Sequence, residues 1–201
     1  MEPLEVLKFP DSRLRYKAKA VDKVTPELVQ LAKNMLEIMY AKNGVGLSSI
    51  QVNKQVRVIV ADTSSELTES PPEESSRYKT NELNKKLVPH IKQPLILFNP
   101  EIIDRQGFVT YQEGCLSFPS YYADVKRSAI VKVKGWNEEG KDVCIETDGL
   151  LSICLQHEVD HLDGKLFIDH LSPLKSSRLR EEIKKHGYPD DNALESKKNI
   201  S

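Results

Sequence analysis

His157-Glu158-Val159-Asp160-His161 holds the residue types best suited to chemistry in this chain. Two imidazoles four residues apart on a helix lie on one face, one turn apart, and can chelate one metal ion from the same side. The glutamate between them can then act on a water at that metal. That combination is the core of a metallohydrolase. The competing reading is two surface histidines on a charged helix, which gives no reason for a glutamate at the intervening position.

Two histidines need at least one further protein ligand and a position left open for water. Some zinc proteases place a third histidine six residues after the second, following a glycine. This chain has Gly164 in place, but Phe167 occupies the last position and His170 comes three residues too late. Other zinc proteases use a glutamate about twenty residues downstream, where Glu181 and Glu182 stand. Both also read as the solvated face of an amphipathic helix. The third class of ligand is an upstream thiolate. Cys115 follows a glycine in Glu113-Gly114-Cys115-Leu116-Ser117, where a backbone can approach a site closely. Cys154, three residues before His157, and Cys144, in an alternating strand, read more simply as small apolar side chains. Spacing alone leaves Cys115 and Glu181 both open.

These residues need elements to position them. A helix over Leu150–Gly164 carries the histidine pair, with Thr147 or Asp148 as cap and Gly164 at its end. Asp160 and Asp163 on it read as exposed helix charges, with orientation of a ligand imidazole as the alternative. Thr25-Pro26-Glu27 opens an N-terminal helix, with apolar residues at helical spacing from Leu28 to Met39 and a stop at Asn43-Gly44. A shorter helix is expected over Arg13–Ala20, capped by Asp11 or Ser12. Gly44–Ser49 reads as a small-residue loop. Strands are expected at Val56–Ala61, at Leu95–Ile103 with an interruption at Asn99-Pro100, and at Val109–Glu113. Ala129–Trp136 and Val143–Thr147 pair through a turn at Asn137–Lys141. Leu174–His186 reads as a C-terminal helix. The fold class is α+β: antiparallel sheets around a central metal-binding helix, with N-terminal helices and a C-terminal helix.

The composition suits a single catalytic domain spanning 1–201. Its 201 residues are 39% hydrophobic, enough for one core. Twenty-nine basic and thirty acidic side chains leave a net charge of −1, so bulk charge gives no reason to expect nucleic-acid recognition or a membrane surface. The N-terminus reads as neither a secretory signal nor a transit peptide, and no stretch has the length of a membrane span. Three cysteines cannot all pair and suit a reducing cytoplasm. Composition turns polar over 63–93, read as a long flexible insertion, and again over 188–201, read as a disordered tail.

Three ordered motifs carry a family resemblance: Gly44-Val45-Gly46-Leu47-Ser48-Ser49-Ile50-Gln51, Glu113-Gly114-Cys115-Leu116-Ser117, and Gln156-His157-Glu158-Val159-Asp160-His161. With them the chain resembles the peptide deformylases, from about Val6 to Leu179. The tail opening at Leu171-Ser172-Pro173 resembles the bacterial class with a C-terminal helix. Two departures stand out. Ser48 and Ser49 replace the usual pair of alanines, and Tyr122 lies where some relatives have an arginine near the substrate backbone.

The resemblance implies that Cys115, His157 and His161 bind one divalent metal ion, Fe2+ in the cell with Zn2+ as the other candidate. It implies removal of the formyl group from formyl-methionine on newly made polypeptides. Glu158 would move the proton, and the Gln51 side chain with the Leu116 N–H would stabilise the oxyanion. Val45, Gly46, Gly114, Leu150, Ile153 and Cys154 would contact substrate. It also suggests ribosome association through Lys175, Arg178, Arg180, Lys184 and Lys185, and a cytoplasmic location. The runner-up is a zinc endopeptidase using His157, His161 and Glu181, and a non-enzymatic alternative is a metal-stabilised binding module on the same scaffold.

Overall fold

The computed structural model describes residues 4–64, 87 and 90–188. Helix α1 spans Pro26–Ala41, and the Thr25 hydroxyl accepts from the Leu28 N–H at 3.4 Å. Proline at the first helical position gives up no hydrogen bond there, since that N–H would have no partner within the helix. Ala32, Met35 and Met39 bury the expected stripe, and Asn43 ends the run at φ +53°. The shorter helix expected over Arg13–Ala20 is a correction. Only a 3-10 turn forms, Ser12–Arg15, capped by Asp11. Beyond it Ala18 donates to Leu162 O at 2.8 Å, and Lys19 donates to Gln55 O at 2.9 Å. Leu14, Tyr16, Ala18 and Ala20 alternate with basic residues, and that period of two suits an extended segment laid against its neighbours.

Strands β1 (Gly46–Ser48), β2 (Val58–Ala61), β3 (Leu95–Gln106), β6 (Ile130–Trp136) and β7 (Asp142–Thr147) form an antiparallel sheet in the order β1-β2-β3-β6-β7. Strands β4 (Val109–Glu113) and β5 (Ala123–Arg127) form a separate hairpin. Two expectations change here. Gly46–Ser48 is an edge strand rather than a loop, pairing Leu47 with Val60. Strand β3 runs through Asn99-Pro100, absorbing the interruption as a register shift between Phe98 and Glu101. Asn99, at φ +48°, exchanges two 2.8 Å hydrogen bonds with the Val21 backbone.

Helix α2, Gly149–Leu162, has twelve buried residues of fourteen. Leu151, Leu155, Val159 and Leu162 recur on one face and pack on Ile59, Leu97, Val131 and Val133 of the sheet. The opposite face carries the polar residues, and burying it requires a second layer, supplied by the β4–β5 hairpin and the turn that follows Glu113. Gln156 ties that layer down: its Nε2 donates to Ser128 O at 2.9 Å, and its Oε1 accepts from the Ser128 N–H at 3.0 Å. Helix α3, Pro173–His186, starts from the Ser172 cap and buries Ile183 in a cluster with Phe118, Phe167 and Ile168.

Most of the expected insertion, and all of the expected tail after residue 188, lie outside the described residues. At the insertion's ends, the Thr63 N–H donates to Gln93 Oε1 at 2.7 Å, so the chain leaves and returns at one place.

Candidate metal centre and active site

The α2 helix sets the first two donors. His157 and His161 stand one turn apart, with their Nε2 atoms 3.2 Å from each other. Cys115 enters from the turn after β4, a turn closed by Phe118 N–H to Cys115 O at 2.8 Å. Its Sγ lies 3.3 Å from His161 Nε2. These three atoms form the candidate metal group found among the described residues. Nitrogen and sulfur donors held tetrahedrally around one zinc-sized ion would lie about 3.4–3.6 Å apart, so the observed spacing fits a shared ion.

The electrostatics fit as well. Burial disfavours a charged His157, yet the adjacent Cys115 and Glu113 outweigh burial and raise its pKa well above the usual value. Glu113 acts at Nδ1, so Nε2 is the ring atom turned to the other donors, and an ion bound there would take the place of a proton. His161 is pushed the other way, by burial and by His157, and stays a neutral imidazole. Glu181 does not join this group. It is exposed on α3, where it accepts from Ser177 Oγ at 3.3 Å.

Behind the donors runs a buried ionic chain. His157 Nδ1 faces Glu113 Oε2 at 2.8 Å. Glu113 is held in a fork by Arg127, with Nε to Oε1 at 2.6 Å and a second nitrogen to Oε2 at 3.0 Å. Arg127 also pairs with Asp160, which pairs with His170 at 2.7 Å. Burial alone would raise the Glu113 pKa, but Arg127 and then His157 bring it down to about 2. Asp160, expected as an exposed helix charge, is therefore corrected: its side chain is largely buried and ion-paired through Arg127 and His170. The reason is the β5 arginine, which lies in a strand not expected from the sequence. Asp163 binds Arg57 at 2.7 Å and touches no donor histidine. Orientation of the His157 imidazole falls to Glu113 instead.

Glu158 is buried beside the metal group, and its Oε2 has no hydrogen-bond partner among the described residues. Burial raises its pKa to about 7. A divalent cation nearby would favour the carboxylate and draw that value down. Gly46 explains how the edge strand comes so close. A Cβ there would lie 2.6 Å from both Glu158 Oε1 and Cys154 Sγ, so any larger residue would have to push one or both side chains aside.

Gln51 sits in the 3-10 turn Ser49–Val52, which starts directly after β1. Its Oε1 accepts from the Ser48 N–H at 2.8 Å and from the Ser48 hydroxyl at 3.2 Å. Its Nε2 faces Cys115 Sγ at 3.5 Å and Ser117 Oγ at 3.2 Å.

A cavity of about 720 Å³ opens over these groups. Val45, Gly46, Gly114, Leu150, Ile153 and Cys154 all line it, as do Gln51, Cys115, Leu116, His157 and Glu158. Burial pushes the Cys154 thiol well up, so it stays protonated and donates to Val45 O at 3.3 Å. His161 does not line the cavity. Sequence reasoning missed Tyr111, which packs with Ile153 and Leu150 in the wall. Tyr122, the departure noted above, also lines the cavity, with its ring against Gly114, where a Cβ would lie 2.6 Å from it.

A sequence model of the polypeptide deformylase family matches residues 3–177. The chain belongs to the polypeptide deformylase family. The peptide deformylase of Pseudoalteromonas translucida is 44% identical over 185 residues, covering 92% of this chain and 96% of that protein. The crystal structure of a peptide deformylase from Legionella pneumophila superposes with a TM-score of 0.73 at 36% identity, covering 90% of this chain and 94% of the other. A peptide deformylase from Synechococcus elongatus, solved in complex with actinonin, gives a TM-score of 0.74 at 35% identity, covering 94% of this chain and 91% of the other. The family carries the α+β architecture through to α3, and the resemblance read from the three motifs is borne out.

Proposed function

We propose that this chain removes the N-formyl group from formyl-methionine at the start of newly made polypeptides. One observation carries the reading: two imidazoles and a thiol converge beside a buried carboxylate at the base of a cavity bordered by an open sheet edge. Family membership supports it. Cys115, His157 and His161 would hold one divalent ion, Fe2+ in the cell, with Zn2+ able to take the same donors. When bound, the ion supplies Lewis acidity, lowering the pKa of water and polarising a carbonyl.

The chain's own residues do the rest. The Glu158 carboxylate takes the proton of the attacking water and delivers it to the leaving amine nitrogen. Its burial makes it a stronger base for the first step, and the basic amine that leaves takes the proton in the second. Gln51 Nε2 and the Leu116 N–H donate to the oxyanion of the tetrahedral intermediate. Strand β1 lies at the sheet edge, so the Gly46 backbone can pair with an extended peptide as an added strand. Val45, Leu150, Ile153 and Cys154 form an apolar wall for the methionine side chain, and Gly114 leaves room for the peptide opposite.

A newly made polypeptide as substrate supports a cytoplasmic location. No described helix is long and apolar enough to cross a membrane. Lys175, Arg178, Lys184 and Lys185 are exposed on α3 and offer a contact with ribosomal phosphates. Arg180 is partly engaged already, with its guanidinium 5.5 Å from the Phe9 ring centroid and 3.5 Å from Asp169.

Mass spectrometry of peptide products tests the reading. A formyl-Met peptide should lose its formyl group and gain a free amine, with every internal bond intact. Internal cleavage of an unblocked peptide would mean an endopeptidase instead.

A further inference from the structure

We propose that Ser48 is a positioning residue for this reaction: its hydroxyl locks the Gln51 carboxamide with Nε2 turned toward the reacting centre. The inference rests on the deformylase reading above. It starts from a departure in the sequence, since Ser48 and Ser49 stand where the resemblance leads one to expect alanines.

The two hydroxyls do different work. Ser49 Oγ donates to Val56 O and so ties the turn to the chain that leads into β2. Ser48 Oγ instead donates to Gln51 Oε1 at 3.2 Å, alongside the Ser48 N–H at 2.8 Å. A backbone N–H can only donate, so the atom it meets must be the amide oxygen. Gln51 Nε2 is thereby fixed on the other side, facing Cys115 Sγ and Ser117 Oγ. Ser48 is fully buried and Gln51 nearly so at the edge of the cavity, which shields these contacts from bulk solvent. A flipped amide would set two nitrogens against each other at the Ser48 N–H; the hydroxyl, which can donate or accept, adds a second hydrogen bond that holds the carboxamide in its observed place. It also draws electron density toward Oε1, which makes the Nε2 hydrogens better donors. An alanine would keep only the backbone contact.

The test measures kcat and KM for formate release from formyl-Met-Ala-Ser. The proteins are the metal-loaded wild type, Ser48→Ala, Ser49→Ala, Gln51→Ala and the Ser48→Ala/Gln51→Ala double variant. Ser48→Ala should lower kcat about two- to tenfold, the size of one net hydrogen bond, with KM changed by less than about twofold. Gln51→Ala should lower kcat about a hundredfold, and adding Ser48→Ala should then change nothing further. Ser49→Ala should leave kcat unchanged. Side-chain amide NMR gives a reading that needs no turnover: the Gln51 NH₂ protons should exchange with water faster in Ser48→Ala than in the wild type. An unchanged kcat and exchange rate in Ser48→Ala would overturn the proposal, as would an equal loss in both Gln51 backgrounds. If Ser48→Ala does not fold, Ser48→Cys replaces it: its weak thiol donor should give a partial loss, and wild-type kcat would overturn the role. A wild type that releases no formate would instead overturn the deformylase reading, and the amide exchange would still report on Ser48.

Discussion

Replacing Arg127 by methionine keeps much of its length and removes its charge. The side chain is 4% exposed and holds two carboxylates, Glu113 at 3% and Asp160 at 14%. Glu113 titrates at about 2 in the fold, against 4.5 as its ordinary value, and Arg127 is the larger of the two partners responsible. That difference corresponds to about 3 kcal/mol of stability at neutral pH. Breaking a buried ion pair by removing one partner generally costs about 3–5 kcal/mol, so the two routes agree. For a chain of this size the loss lowers Tm by roughly 6–20 °C. The sign with pH follows. Glu113 has a depressed pKa, so its contribution in the wild type is present above its unfolded value near 4.5 and is lost as pH falls toward 2. In Arg127→Met the buried Glu113 gains a proton more readily than the unfolded chain does, so acid relieves its destabilisation. Thermal unfolding followed by circular dichroism, with both proteins loaded with the same divalent ion, should show a large Tm gap at pH 7 that narrows at pH 4. A gap near zero at pH 7, or one that widens in acid, would refute the reasoning.

Cys115→Ala should lose its bound metal on dialysis, as measured by atomic absorption, while keeping its helical signal. Full occupancy would point to a different third ligand. Gly46→Ala should fold, yet lose more than about a hundredfold in kcat/KM, because the new Cβ displaces the Glu158 carboxylate it would otherwise meet at 2.6 Å. Near-normal kinetics in that variant would mean that β1 does not hold the base in place.

Some of this arrangement could be read from residue spacing and some could not. The His157/His161 pair and its helix announced themselves because a local period of 3.6 residues decides which side chains share a face. The same locality made α1 readable from Thr25-Pro26 and the Leu28–Met39 stripe. Spacing left Cys115 undecided, with Glu181 as a lesser candidate, because a thiolate forty-two residues upstream joins the site only through the fold. Family resemblance supplied what periodicity could not. Strand β5 was invisible because only Ala123 and Val125 of its five residues are apolar, and without it the role of Arg127 had no frame. Asp160 consequently read as solvent-exposed, when its partner approaches from another element. The Arg13–Ala20 segment shows the reverse error: a capping aspartate and good helix formers were outweighed by tertiary hydrogen bonds to Leu162 and Gln55.

The most direct test of the central claim is steady-state formate release from formyl-Met-Ala-Ser by anaerobically prepared, Fe2+-loaded protein, with Glu158→Ala beside it at equal metal content. The account predicts rapid release by the wild type and a loss of about a hundredfold to ten-thousandfold in Glu158→Ala, the usual worth of a general acid–base group. Release that survives intact in Glu158→Ala would contradict the assigned proton path. No release from a folded, metal-loaded wild type would contradict the function itself.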